Sequence, residues 1–200
     1  MKFETDEFKD KVVPLINEAV EKGIEIACQL CKDKDKIFLG KKFYGCPSGV
    51  SYDLKEMEAC EKGEWEGNLH IETLPHLPAF PSDVDIKNDF DMIRKKIYKK
   101  PFEECVCAGI LEGTPKSGTL KEGCFCERWK PWTEEQHKEI IEKIEKSGYG
   151  SLIPRGWGYF PLRQDLIKMG HIDHQQKQWV EGKVKDGKII GMGNIYHEEK

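Results

Sequence analysis

Apolar and polar positions alternate with two different periods along this chain. From Val13 to Lys22 the apolar residues Leu15, Ile16, Ala19 and Val20 fall on one face at helical spacing. Pro14 suits the first turn and Gly23 the exit, so the pattern predicts a helix over 13–22. The period then drops to two. In IEIACQLC (24–31), Ile24, Ile26, Cys28 and Leu30 alternate with Glu25, Ala27, Gln29 and Cys31, which is the signature of a strand. KDKDK is a charged turn, and IFLGKKFYG (37–45) reads as the returning strand. Residues 46–64 are polar and punctuated by Pro and Gly, a connection with room for one helical turn.

The stretch GNLHIETLPHLPAFPSDVD (67–85) combines several signals. It opens as a strand in which Leu69 and Ile71 alternate with His70 and Glu72, so His70 and Glu72 share a face. A Pro-rich loop follows, and a helix starts at Ser82. Ile86, Phe90, Ile93 and Ile97 make an apolar stripe that predicts a helix over 83–98, closed by Pro101. ECVCAGIL (104–111) and GTLKEGCFCER (118–128) read as two strands joined by the turn EGTPKSG. Thr133-Glu-Glu-Gln has capping-box spacing at the head of a further helix, with Ile140, Ile141 and Ile144 facing inward and Gly148 as the stop. The pattern weakens after residue 148. Residues 149–200 are expected to be an irregular extension of the 1–148 domain with a terminal hairpin at VEGKVKDGKIIGMG. The order of elements predicts an α/β (α+β) fold, a mixed β-sheet flanked by helices.

Composition and charge narrow this picture further. Two hundred residues, 38% hydrophobic and 34% charged, suffice for a globular core. The net charge of −4 supplies no electrostatic reason to bind nucleic acid. No apolar run approaches the roughly 20 residues of a membrane span. The N-terminus MKFETDEFKDK lacks the apolar core of a signal peptide, which leads to an expected cytoplasmic location. In that setting disulfides are not the default for the eight cysteines, intracellular proteins of hyperthermophiles excepted. Cys105 and Cys107 share one strand face, as do Cys124 and Cys126 on the expected partner strand. The four are candidates for a metal site, for cross-strand disulfides, or for simple filling of a sheet face. Cys28 and Cys31 have zinc-knuckle spacing but lie three apart in a strand, where they point to opposite faces. His171-Ile-Asp173-His174 lies in a polar Gln/Lys-rich run and is expected at the surface.

His70, Glu72 and Asp85 are metal-capable residues, since zinc takes His nitrogen and carboxylate oxygen. Ser82 and Asp85 also fit a purely structural role, because Ser-x-x-acid is a capping box and first-turn acids are favoured by the helix dipole.

The same residues resemble the core of the JAB/MPN (JAMM) metalloprotease family. There a strand carries His-x-His followed by Pro, a loop leads to Ser-x-x-Asp at a helix start, and an upstream Glu lies on a strand after an N-terminal helix. Glu25 in EIACQL matches the upstream Glu, His70 the first metal His, and Ser82 and Asp85 the Ser and the metal Asp. Glu72 stands where the second His belongs. The loop to Ser82 is two residues longer than usual, and His76 within it is a possible substitute ligand. The resemblance covers roughly residues 10–128. It implies a three-layer, cytidine-deaminase-like core and a bound Zn2+. It further implies hydrolysis of isopeptide or peptide bonds in a polypeptide or ubiquitin-like protein substrate, with Glu25 as general base and Ser82 on the oxyanion. A catalytically inactive MPN-like protein-binding module and a Cys-rich metal-binding protein are the alternatives.

Overall fold

The computed structural model of the 200-residue chain describes residues 3–72, 79–114, 116–153, 158–186 and 188–199. A seven-stranded sheet has the order β2-β1-β3-β4-β5-β6-β7. Its strands are β1 (Ile26–Asp33), β2 (Lys36–Tyr44), β3 (Glu64–Ile71), β4 (Phe102–Thr114), β5 (Ser117–Trp129), β6 (Ile172–Lys185) and β7 (Lys188–Glu199). β1 pairs antiparallel with β2 and with β3, and β6 with β7. β3 and β4 run parallel. Parallel neighbours need a long crossover, and here the connecting chain carries helix α4 (Asp83–Arg94). The protein is therefore mixed α/β, as the alternation of periods predicts.

The chain divides into two compact units. The first comprises residues 1–80, 103–126 and 174–200. Its N-terminal segment holds helix α1 (Thr5–Glu7), a π-helical turn (Phe8–Val12) and helix α2 (Val13–Lys22). Pro14 lies in the first turn of α2, and Gly23 ends it in the left-handed conformation (φ 62°) that favours glycine. Leu15, Ile16 and Ala19 of α2 pack on Ile26, Cys28, Leu30, Leu69 and Ile71, forming the main core on one face of the sheet. Full burial of each such aliphatic side chain contributes about 1.5–3 kcal/mol before entropy is counted. Val20, expected on this face, is 43% exposed. On the opposite face Met57 of α3 (Leu54–Glu58) packs with Ala27 and Phe43. α3 is capped by Asp53 and tied down by Gln29, whose side-chain NH2 donates to the carbonyls of Glu56, Met57 and Ala59. Gly67 lets β3 approach β4, because a Cβ there would stand 1.9 Å from the Glu103 carbonyl oxygen. The C-terminal strands belong to this unit too. Gln178 on β6 exchanges two hydrogen bonds with the backbone of Phe3 at 3.0 and 3.1 Å.

The second unit comprises residues 81–102 and 127–173. It holds α4, α5 (Glu134–Ser147), α6 (Tyr149–Leu152) and α7 (Tyr159–Lys168). Thr133 caps α5 in a reciprocal box with Gln136, and Gly148 ends it at φ 78°. Ile86, Phe90 and Ile93 are the buried stripe of α4. The helix stops at Arg94 and not at Tyr98, with Lys96 at φ 57°, and Ile97 is left 42% exposed. Among the described residues after 148 there are two helices and a long hairpin, in place of the expected irregular extension.

Candidate functional site

In β3 the alternation works as a sorting device. Leu69 and Ile71 enter the main core beneath α2, and His70 is turned to the other face. His70 is only 9% exposed. Its Nδ1 lies 3.1 Å from Oε1 of Glu104 on β4, and its Nε2 lies 3.7 Å from Oε1 of Glu72. Glu104 is itself buried, and the register explains its reach: Asn68 pairs with Glu104 and His70 with Val106, so Glu104 is a diagonal neighbour on the same face. Glu72 follows the last β3 residue, and its N–H is held by the Cys107 carbonyl at 2.8 Å.

Glu25 precedes β1. Its N–H donates to Cys46 O and its carbonyl accepts from Gly45 N, both at 2.9 Å, so its backbone is fixed. Ile26 pairs with Ile71 and Ala27 with His70. Continuing that register sets Glu25 level with Glu72, at the sheet end where β3 finishes. The first unit therefore brings Glu25, His70 and Glu72 to one end of one sheet. The same face carries a cleft of about 350 Å3 between Ala108, Ile110, Gly123 and Trp179. His76 lies outside the described residues.

In the second unit Ser82 and Asp85 form the capping box of α4. Asp85 N donates to Ser82 Oγ at 3.3 Å, and Ser82 N donates to Asp85 Oδ2 at 2.7 Å. The structural role expected of the pair is thus met in full.

The cysteines are resolved in one direction. Cys105 pairs with Cys126 and Cys107 with Cys124, as cross-strand disulfides of the β4–β5 hairpin. A third bridge joins Cys31 to Cys60. This corrects the expectation that thiols, not disulfides, are the default. It also removes Cys105, Cys107, Cys124 and Cys126 as a thiolate metal site, because a bridged sulfur carries no thiolate. Cys28 and Cys31 share no metal either. Cys28 is a buried free thiol, pushed up to about 12 by burial. Cys46 is exposed, and hydrogen bonds from Ser48 lower its pKa.

Several buried polar groups escape a reading of sequence. Glu104 is one. Glu122 on β5 is another, buried beside α2. Glu127 and Arg163 form a fully buried ion pair in the second unit, with Arg163 Nε 2.9 Å from Glu127 Oε2 and Trp129 Nε1 3.0 Å from Oε1. Burial raises the Glu127 carboxyl, and the Arg163 guanidinium opposes that rise. His171, expected at the surface, is buried with its ring 6.1 Å from that of Trp132, and burial lowers its pKa. Only a segment composition as polar as 171–178 argued for exposure, and aromatic packing overrides it.

No family model, no curated protein and no solved structure matches this chain. No helix among the described residues is long and apolar enough to cross a membrane.

Proposed function

We propose that this chain is a metal-dependent hydrolase of the JAB/MPN type, cleaving isopeptide or peptide bonds in a polypeptide or ubiquitin-like protein. The observation that carries the reading is the setting of His70. One ring nitrogen is taken by Glu104, and the other faces Glu72 at 3.7 Å. That second distance is too long for a hydrogen bond. It is close to the roughly 3.4 Å that separates two donors each about 2.1 Å from one tetrahedral zinc.

The proposed ligands are His70, Glu72 and Asp85, a nitrogen-and-carboxylate set that suits Zn2+ and leaves a fourth position for water. When bound, zinc acidifies that water and polarises the scissile carbonyl. Glu25, level with Glu72, takes the proton from the attacking water and returns it to the leaving amine. Ser82 donates its hydroxyl hydrogen to the oxyanion. This does not conflict with its cap, since a hydroxyl has one donor and two acceptor lone pairs and the cap uses an acceptor. A cytoplasmic location belongs to the proposal in its hyperthermophile form, because three disulfides persist in few other cytosols.

The inactive protein-binding module has one observation in its favour: the capping box already gives Asp85 a complete role. Metal analysis separates the two. The purified chain should carry or take up one zinc, lost on His70→Ala and on Asp85→Ala. A chain that stays empty in excess zinc refutes the hydrolase and leaves the module.

A further inference from the structure

We infer that Glu104 is the positioning residue of the His70 site, the carboxylate that selects which imidazole nitrogen meets a metal. The inference rests on the zinc reading above and extends it to a residue outside the His-x-Glu and Ser-x-x-Asp motifs.

The position is an expensive one for an acid. Its neighbours along β4 are the buried Glu103 on one side and Cys105, Val106, Cys107 and Ala108 on the other, all buried, and Glu104 is itself 6% exposed. A buried carboxylate is tolerated only with hydrogen-bonding partners. Filling the sheet face would be served by another apolar residue, as it is two residues later at Val106. What Glu104 has instead is His70 Nδ1 at 3.1 Å.

The consequence is chemical. A neutral imidazole carries one N–H, on either nitrogen. A carboxylate accepts from an N–H and offers none, so Glu104 holds the proton on Nδ1. The lone pair then sits on Nε2, the nitrogen that faces Glu72. The carboxylate also fixes the ring plane and raises the basicity of Nε2, as acids behind zinc-bound histidines do. Glu104 touches neither the proposed metal nor the scissile bond; it acts through His70. The geometry depends on the parallel register in which Asn68 meets Glu104 and His70 meets Val106. A shift of one residue would send Glu104 to the α2 side of the sheet.

Two readouts test this. The first is zinc affinity by competition with a chromophoric chelator. Glu104→Ala should weaken zinc about 10- to 100-fold. Glu104→Gln still accepts from Nδ1–H through its amide oxygen and should recover part of that loss. The second is the His70 tautomer in metal-free protein, read from ring 15N shifts above the pH at which the ring loses its charge. Wild type should carry the proton on Nδ1, Glu104→Ala should lose that preference, and Glu104→Gln, whose amide can donate as well as accept, should weaken it. Unchanged zinc affinity and an unchanged tautomer in Glu104→Ala overturn the inference. If Glu104→Ala does not fold, a wild-type protein that carries the proton on Nε2 overturns it equally. A wild type that binds no zinc but holds the Nδ1–H tautomer refutes the hydrolase and leaves the role of Glu104 standing.

Discussion

Glu122 predicts an unusual pH dependence of stability. It lies on the α2 side of β5, buried, with a hydrogen bond from Asn17 to one oxygen and no partner for Oε1. Burial pushes its carboxyl from 4.5 up to about 7. Below about pH 4.5 the group is protonated in both folded and unfolded chains and has no effect. Between about 4.5 and 7 the unfolded chain gives up a proton that the folded chain retains, so stability falls as pH rises. The gap of 4.5 to about 7, at 1.36 kcal/mol per pH unit, amounts to roughly 3 kcal/mol once the pH is above 7. Glu122→Gln keeps the shape and can still accept from Asn17, but it has no charge to bury. Urea unfolding followed by tryptophan fluorescence, run at intervals from pH 4.5 to 8, gives the difference between variant and wild type. That difference should start near zero and grow to about 2–3 kcal/mol in favour of Glu122→Gln. Parallel pH profiles would show that Glu122 ionises in the folded chain as it does in the unfolded one, and the reasoning from burial would fail.

Unfolded without reductant, the chain should titrate two thiols, Cys28 and Cys46, and native protein should show only Cys46 reacting fast; eight reactive thiols would refute the three bridges. Replacing Cys107 and Cys124 together by Ser opens a bridge of sequence separation 17 and should cost about 3 kcal/mol in a denaturant titration. Arg163→Met leaves the buried Glu127 carboxylate without its cation and should cost about 3–5 kcal/mol, much of it recovered when Glu127→Leu is added. Glu72→His restores the His-x-His of the family pattern and should tighten zinc binding in the chelator assay; weaker binding would mean that Glu72 already suits the site better.

Where a local rule sets a boundary, the sequence carried it. Thr133 with Gln136 and Ser82 with Asp85 mark helix starts through hydrogen bonds made within a few residues, while Pro14 in the first turn of α2 and the left-handed Gly23 and Gly148 mark ends through their backbone angles. The end of α4 is closed by local hydrogen bonds too, Lys96 N–H to the Ile93 carbonyl and Ile97 N–H to the Met92 carbonyl, but around a left-handed lysine where no glycine flags the stop. The apolar stripe runs on to Ile97, but Tyr98 and Phe102 are drawn into a ring cluster with Trp129, and the chain leaves the helix to supply them. The cysteine faces were legible because alternation fixes which thiols are neighbours. Their oxidation was not, because adjacency on a face is common to disulfide, metal site and plain packing. Cys31–Cys60 was illegible altogether, since Cys60 comes from a connection with no period to place it.

The His70 end of the sheet shows the same division at finer scale. His70 and Glu72 share a face by their own spacing, and both are visible in one strand. Glu104 is not, because ECVCAGI reads the same whether its strand lies beside β3 or elsewhere. Only the parallel β3–β4 register turns that glutamate toward Nδ1. The proposed ligands are written along the chain, whereas the carboxylate that meets His70 Nδ1 comes from the strand next door. Motif departures such as Glu72 are therefore an incomplete measure of whether the site binds metal. What His70 can do is set as much by Glu104, which no spacing rule would have selected.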